Sequence, residues 1–491
     1  MRKSGILLPI SSLPSKYGIG TFSKEAYEFV DKLKEANQSI WQILPLGPTG
    51  YGDSPYQSFS TFAGNPYFID LEALVNENLL TEEECESCDW GSDEEHVDYG
   101  KVYSSRANIL RKAYERSNIK EDENYIKFCN ENVWWLNDYA LYMSIKDYLD
   151  GKSWTEWDKG LKSRKEHAIN LCEEKLKEQI DFYKYVQYLF FTQWSRLKAY
   201  ANENGISIIG DVPIYVSLDS ADIWSNQKLF QLDKDCNPTA VAGCPPDIFS
   251  EDGQLWGNPL YNWEANKEEG YSWWIKRIEY AAKLYDIVRI DHFRGFDEYY
   301  SIPADHENAK NGTWKKGPGI ELFKTLKEKL GDVNIIAEDL GTQTDSLKEL
   351  LRDTNYPGMK ILQFGFDTDG NNEFLPHNYN RNCVVYTGTH DNSTIQGWYK
   401  EIDEHTRKMV ESYINDNREE KIHWDLICVA MSSVAELCII PVQDYLGLDD
   451  SATINKPSTL GTNWTWRMKK DSLDESIIEK IKTLTKICAR G

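Results

Sequence analysis

The sequence predicts an α/β protein built as a closed (β/α)8 barrel, the TIM-barrel architecture, with mainly helical subdomains inserted into its βα loops. Eight short apolar runs rich in β-branched residues recur along the chain. Several of them alternate with helical patterns, which is typical of βαβ units and a parallel sheet. The chain has 491 residues, a length that a barrel with insertions reaches as one unit. We therefore expect residues 1–491 to form a single barrel domain.

The predicted barrel strands are these apolar runs. They span residues 6–10, 39–46, 206–216, 287–293, 334–340, 358–366, 383–390 and 437–445. Eight strands are the number that closure into this barrel requires.

Amphipathic helices are predicted between neighbouring strands. Between the first two strands, Ser23 is placed to cap a helix. The apolar face of that helix is formed by Phe22, Ala26, Phe29, Val30 and Leu33. Between the fifth and sixth strands, Leu347, Leu350 and Leu351 mark a shorter helix.

Two connections are too long to be simple loops. Residues 67–205 carry helical patterns and many aromatic residues, including Trp134, Trp135, Trp154 and Trp157. We expect them to form an inserted helical subdomain after the second strand. Residues 217–271 are rich in Gly, Pro, Asn and Asp, and we expect a long ordered loop after the third strand. Because βα loops of a barrel surround its active site, these segments are predicted to wall a substrate cleft.

The net negative charge limits the classes of binding partner. The formal net charge is −24 and the pI is near 4.9, so no basic surface is expected for nucleic acid or for an anionic membrane. No apolar stretch approaches the roughly 20 residues that span a bilayer. The apolar run near the start is too short for a signal-peptide core, and Pro9 interrupts it. We expect a cytoplasmic protein that binds neither nucleic acid nor membrane.

The ten cysteines are scattered and are expected to be reduced packing residues. Cys85 and Cys88 form a C-x-x-C pair within an acidic stretch. The alternative is a metal or redox role, but the sequence has no second pair and predicts no neighbouring helix to lower a thiol pKa.

Three acidic residues end predicted strands at the edge where barrel enzymes hold their active sites: Asp291, Glu338 and Asp391. Each follows an apolar run, so each carboxyl must be paired, hydrogen-bonded or catalytic. A structural salt bridge explains any one of them alone. Three on different strands, two of them next to Arg or His, favour catalysis.

Alternation along a strand gives two of these carboxyls different surroundings. Arg289 and Asp291 lie two residues apart and face the same side, so the arginine is expected to lower the pKa of a carboxylate nucleophile. The same-face neighbour of Glu338 is Ile336, and an apolar wall raises a carboxyl pKa towards that of a general acid. Such a pair suits glycoside chemistry with retention of configuration. Asp339 should face the opposite way, towards the surface or the residues behind the site.

Two histidines and several loop aromatics are further candidates for a functional site. His292 and His390 are alternative metal ligands, but no histidine cluster with ligand spacing appears. Several aromatic residues lie in polar loops, where a ring can stack on a sugar or pack in the core. They are Tyr51, Tyr56, Trp256, Tyr261, Trp464 and Trp466.

Several long motifs also occur along the chain. They lie at residues 4–14, 41–59, 210–215, 241–247, 253–261 and 462–467, together with the three carboxylate motifs. In these motifs the chain closely resembles the 4-α-glucanotransferases known as amylomaltases or disproportionating enzymes, relatives of the α-amylase superfamily. The resemblance covers essentially the whole chain. It departs at Cys236, where a glycine is common, and at Cys244, where an aliphatic residue is usual.

The resemblance implies a retaining transfer of α-1,4-glucan segments to the 4-hydroxyl of glucose or another glucan. It implies Asp291 as nucleophile, Glu338 as general acid/base and Asp391 as a holder of sugar hydroxyls. The implied substrate-binding residues are Tyr56, Asp211, Gln254, Trp256, Arg289, His292, His390 and Asn463. Residues 248–249 would overhang the glucan, and neither metal nor organic cofactor is implied. Hydrolysis at the same site and non-catalytic glucan binding are the alternatives.

Overall fold

The strands set the frame of the molecule. The computed structural model describes residues 2–50, 52–246, 250–367, 370–415, 418, 421–459 and 461–491. Within them the strands are β1 (Lys3–Leu7), β2 (Ile40–Gln42), β3 (Ser207–Pro213), β4 (Ala240–Cys244), β5 (Gln254–Pro259), β6 (Ile287–Asp291), β7 (Glu298–Pro303), β8 (Thr313–Lys316), β9 (Ile335–Ala337), β10 (Gly358–Ile361), β11 (Cys383–Tyr386) and β12 (Leu437–Pro441).

Eight of these strands form a parallel sheet in the spatial order β10-β11-β12-β1-β2-β3-β6-β9. The sheet closes where the Ala337 backbone N–H donates to the Pro357 carbonyl oxygen at 3.0 Å, joining the two end strands. Each strand overlaps one predicted run, so the predicted (β/α)8 barrel is confirmed. Most observed strands are shorter than the predictions, because the apolar runs continue into turns at the barrel mouth.

The helices lie between the barrel strands and within the two long connections. They are α1 (Lys24–Glu35), α2 (Leu71–Asn76), α3 (Glu82–Glu86), α4 (Tyr99–Arg116), α5 (Glu123–Glu131), α6 (Val133–Tyr148), α7 (Lys159–Lys162), α8 (Glu166–Lys175), α9 (Lys177–Glu203), α10 (Ala221–Ser225), α11 (Trp263–Glu268), α12 (Ser272–Leu284), α13 (Ile320–Leu330), α14 (Asp345–Thr354), α15 (Ile395–Glu401), α16 (Glu404–Ile414), α17 (Ile422–Ser432), α18 (Val442–Leu446) and α19 (Glu475–Ile487). None of the described helices is both long and apolar enough to cross a membrane.

Helix α1 occupies the place that the sequence predicts, with Ala26, Phe29, Val30 and Leu33 buried. Ser23 is its N-cap residue, but the predicted cap bond is wrong. The Ser23 hydroxyl instead donates to the Glu25 carboxylate at 2.5 Å and lies 2.9 Å from the Ser15 Oγ, so these side chains orient it in place of the helix N–H groups.

Two long connections interrupt the barrel. Between β2 and β3 lie helices α2 to α9, and the long α9 packs against α1 and β3. The stretch after β3 holds α10, β4, β5 and α11, so the expectation of a loop was incomplete. Strands β4 and β5 join β7 and β8 in an antiparallel sheet with the order β5-β4-β7-β8.

Gly210 shows how tightly the residues of the barrel pack beside Asp211. It lies on β3 immediately before Asp211. A Cβ atom at this position would lie 2.1 Å from the ring of Tyr285, which is 4% exposed. The close approach of this ring therefore requires glycine.

Gly210→Ala is expected to lower the free energy of unfolding by about 1–3 kcal/mol, the usual cost of overpacking. Equilibrium urea denaturation measures the effect. Gly370→Ala is the control, because a Cβ there meets nothing within 4 Å, and its effect should stay within about 0.5 kcal/mol. Equal unfolding free energies for the two variants would contradict this account of the packing.

Candidate active site

The strands β3, β6 and β9 bring the predicted acidic residues to one edge of the barrel. Asp211 pairs with Arg289 between β3 and β6, and Ile290 pairs with Ala337 between β6 and β9. Continuing the second register by one residue places Asp291 beside Glu338. Neighbouring strands lie about 4.8 Å apart, so the two carboxyls extend from adjacent backbone positions.

Arg289 is the cation at the centre of this edge. Its Nη1 donates to Asp211 Oδ2 at 2.6 Å and to Asp291 Oδ1 at 3.1 Å. The arginine and Asp211 are each 3% exposed, whereas the Asp291 side chain is 27% exposed. The guanidinium thus ties a fully buried carboxylate to one that a ligand can reach.

Tyr56 connects this ion pair to the end of β11. Its hydroxyl donates to Asp211 Oδ2 at 2.8 Å and lies 2.8 Å from His390 Nε2. The tyrosine and imidazole rings are nearly parallel, with centroids 5.3 Å apart and an interplanar angle of 9°. His390 Nε2 also lies 3.3 Å from Asp391 Oδ2. Burial lowers the pKa of His390, so its ring is neutral at pH 7.

Glu338 is held by backbone rather than by a cation. The His292 N–H donates to its Oε2 at 2.6 Å, and the Leu340 N–H donates to its Oε1 at 2.9 Å. Burial raises its pKa to about 6, against the lowering effects of Arg289 and the two N–H donors. The predicted direction of this shift is therefore confirmed.

The pKa of Asp291 differs from the prediction that Arg289 would lower it. Burial raises its pKa well above the ordinary value, and the carboxylates of Asp211 and Glu338 raise it further, while Arg289 lowers it. The predicted net lowering was wrong because the sequence shows the nearby arginine but neither the burial nor the other carboxylates. Asp291 and Glu338 are thus neighbouring carboxyls whose titrations influence each other.

His292 links the carboxyl pair to an aromatic wall. It adopts a left-handed backbone conformation, with φ 49°, and its ring meets Trp256 edge to face at 4.8 Å. The Trp256 indole N–H in turn donates to Gln254 Oε1 at 3.0 Å. Both wall residues lie on β5, so the antiparallel sheet carries this side of the cleft.

Three buried polar atoms at this edge have no protein hydrogen-bond partner among the described residues: Asp211 Oδ1, His292 Nε2 and His390 Nδ1. Such atoms are costly unless a ligand or water satisfies them. Carboxyl groups that differ in surroundings, with free polar atoms and aromatic rings around them, suit acid/base and nucleophilic chemistry on a polyhydroxylated substrate.

Comparison with known proteins agrees with this geometry. A model of the 4-alpha-glucanotransferase family matches residues 8–473. The chain belongs to the 4-alpha-glucanotransferase family. The family and the 4-α-glucanotransferase activity that the motifs predicted are thereby confirmed.

Individual members of the family are similar over their whole length. A 4-alpha-glucanotransferase of Clostridium butyricum is 50% identical over 484 residues, covering 98% of this chain and 99% of that protein. That of Thermus thermophilus is 44% identical over 500 residues, covering 100% and 99%. The structure of amylomaltase from Streptococcus agalactiae in complex with acarbose has a TM-score of 0.97, 44% identity and 100% coverage of both chains.

Not every predicted residue of this 4-alpha-glucanotransferase joins the carboxyl network. The side-chain amide of Asn463 bonds its own loop, with Oδ1 accepting from the Lys456 N–H at 3.0 Å and Nδ2 donating to the Thr459 carbonyl at 3.0 Å. Asp339 is buried rather than at the surface, and its Oδ1 accepts from the Met359 N–H at 2.7 Å. Tyr51 and residues 247–249, which include the predicted loop tip, lie outside the described residues.

The loop aromatics divide into two groups. Tyr56 and Trp256 are partly exposed in the cleft. Tyr261 is 1% exposed and Trp466 4% exposed, so of the two alternatives core packing applies to both. Trp464 is 8% exposed, and its ring packs 5.7 Å from Tyr56.

Sequence analysis missed Asn455. Its Nδ2 donates to Asp391 Oδ1 at 2.6 Å, and its backbone N–H donates to the His390 carbonyl at 3.0 Å. It lies in an irregular stretch after α18, where no periodicity or motif marks it.

Cys236, which stands where the family commonly has glycine, has φ 62°. This left-handed conformation favours glycine.

Tyr56→Phe is expected to lower kcat/KM for maltotriose disproportionation by roughly 10-fold to 100-fold. The change removes the hydroxyl that donates to Asp211 and contacts His390, a loss of about 1–3 kcal/mol. Tyr148→Phe is the control, since that tyrosine is 53% exposed on α6. A Tyr56→Phe rate within twofold of the unsubstituted enzyme would contradict the bridging role.

Proposed function

We propose that this protein transfers α-1,4-glucan segments from a maltodextrin donor to the 4-hydroxyl of glucose or another glucan through a covalent ester on Asp291. Glu338 protonates the bridging oxygen while Asp291 attacks the anomeric carbon, and the reducing-end fragment leaves. Glu338 then removes the proton from the acceptor hydroxyl, which attacks the ester. Two inversions give net retention.

The observation that carries this proposal is the register of β6 and β9. It extends Asp291 and Glu338 from adjacent positions on neighbouring strands, and the N–H of the residue after Asp291 contacts the Glu338 carboxyl at 2.6 Å. Retaining glycosidases require their two carboxyls about 5–5.5 Å apart. Neighbouring strands lie about 4.8 Å apart, so two side chains that extend from adjacent positions to the same side are able to reach this separation.

The proposed reaction needs different charges on the carboxyls of Asp291 and Glu338. Arg289 contacts Asp291 but makes no hydrogen bond to Glu338 among the described residues, so it favours the ionised form of Asp291 against the burial that raises the pKa of that carboxyl. The pKa of Glu338, about 6, lies close to neutrality, where one group can both donate and accept a proton. The first step of the proposed reaction requires an ionised Asp291 and a protonated Glu338.

The remaining residues hold the substrate. Asp391 faces the cleft with its side chain 39% exposed and is proposed to bind hydroxyls of the sugar under attack. The unpartnered His292 Nε2 and His390 Nδ1 supply further polar contacts there. Gln254 and Trp256 are proposed to line the donor and acceptor sites, and Asn463 to contact the glucan at the rim.

We further propose that residues 67–205 act as an inserted subdomain and that residues 217–271 wall the cleft. The protein is proposed to act in the cytoplasm, where thiols stay reduced. This fits Cys85, a buried thiol whose pKa burial raises to about 11, which makes it unreactive.

Incubation with maltotriose tests transfer against hydrolysis. Because water and a sugar hydroxyl are both able to attack the ester, the same site also permits an amylase. Transfer predicts longer maltodextrins plus glucose with little gain in total reducing ends. A steady rise in reducing ends would instead identify a hydrolase.

Asp291→Asn is expected to lower maltotriose turnover by about 10³-fold or more, the scale of losing a catalytic nucleophile. Asp305→Asn, a matched change at an exposed position, should keep full activity. Chromatography of the products measures both rates. An Asp291→Asn protein that keeps half of the original rate would end the assignment.

The pH dependence of kcat/KM tests Glu338. A raised pKa means that the protonated form exists below about pH 6 and is lost above it, so kcat/KM for maltotriose should fall up to tenfold per pH unit on the alkaline side. Maltosyl fluoride is the matched donor, because fluoride leaves without a proton. With Glu338→Gln, fluoride release should persist and show no alkaline fall. Identical alkaline limbs for both donors in the unsubstituted enzyme would contradict the acid role.

A further inference from the structure

A second cleft lies between the helical insertion and the segments that follow β3. It is bounded by α6, α10 and the start of α12, and it is open to solvent. Ser60 and Phe62 line both this cleft and the cavity beside Tyr56 and Asp211. The loop that carries them therefore separates the second cleft from that cavity.

Trp134 gives the cleft an exposed aromatic ring. It is 38% exposed, an unusual state for such a large apolar side chain. Its ring packs nearly perpendicular to Phe62, with centroids 4.7 Å apart, and to Tyr280, with centroids 6.0 Å apart. These contacts fix the orientation of the ring, so it can act as a rigid platform for the C–H face of a sugar.

Trp273 also lines the cleft and carries a buried indole N–H. It is 6% exposed, and its indole Nε1 has no hydrogen-bond partner among the described residues. An indole N–H only donates, so it needs an acceptor such as a hydroxyl oxygen. A buried donor without a partner indicates a ligand or ordered water at this position.

The charges of the cleft favour a neutral ligand. Asp138 is paired with Arg164 at 2.5 Å, and Asp222 accepts from the Thr61 N–H at 2.7 Å. The Lys276 ammonium lies 5.3 Å from the centre of the Trp134 ring. No group of three or more metal-binding side chains occurs in the part of the chain that the structure describes. The Ser225 hydroxyl and the Asn226 amide also line the cleft and donate to the Ala221 and Asp222 carbonyls, which leaves their oxygen atoms as acceptors for the hydroxyl groups of a neutral ligand.

We propose that this cleft is a secondary carbohydrate site, which binds a segment of neutral α-glucan outside the active site with Trp134 as its stacking surface. The choice of α-glucan rests on the proposed function, because that substrate surrounds the enzyme at work. The site increases the time that a long donor spends near the active site and leaves the chemical step unchanged.

Calorimetric titration with maltohexaose tests the proposal in the Asp291→Asn protein, which should not consume the ligand. Two binding events per chain are expected. Adding Trp134→Ala should remove one event or weaken it at least tenfold, whereas adding Tyr148→Ala, an exposed aromatic on the same helix, should leave both. Unchanged binding in the Trp134→Ala protein overturns the proposal, and so does an equal loss in both variants.

A second variant protects the test against misfolding. Ser272 is exposed and lines the cleft at the start of α12, so Ser272→Tyr fills the site without removing a core contact. It should abolish the same binding event, and retention of both events contradicts the site. Consumption of maltohexaose by the Asp291→Asn protein, detected by chromatography, would contradict the transfer mechanism separately from the count of binding events.

Discussion

The ion pair between Arg289 and Asp211 is the interaction on which the rest of the site depends. Two charges that are each 3% exposed cost several kcal/mol of desolvation apiece. Their 2.6 Å contact offsets that cost only while both partners are present. Loss of either would leave an uncompensated buried charge, a penalty of about 3–5 kcal/mol. The barrel supplies the rigid register that keeps them together.

Each partner of this ion pair also contacts other residues of the site. Arg289 reaches the accessible Asp291 on its own strand, while Asp211 accepts from Tyr56 and thereby connects to His390 and Asp391 on the far side of the barrel. Glu338 lies outside this chain of charged contacts and is held by backbone N–H groups. The two neighbouring carboxyls therefore differ in their partners: a cation favours the ionised form of Asp291, whereas two backbone N–H groups orient Glu338.

Much of this arrangement could be predicted from the sequence because its signals are local. Apolar β-branched runs marked the barrel strands, and strand alternation placed Arg289 beside Asp291. Properties that depend on distant residues could not be predicted. The pKa of Asp291 is raised by burial and by carboxylates on other strands, and Asn455 reaches Asp391 from an irregular segment 64 positions away. The strands β4 and β5 escaped prediction because their Gly-rich and Pro-rich sequence resembles a loop.

The most direct test of the central claim is to trap the ester. A 5-fluoroglucosyl fluoride donor slows breakdown of a glucosyl-enzyme, and mass spectrometry of the intact protein and its peptides locates the label. The account predicts one added fluoroglucosyl unit per chain, on the peptide that contains residues 287–294 and at Asp291. A label on Glu338 or Asp391, or fluoride release with no labelled protein at any time, would contradict it.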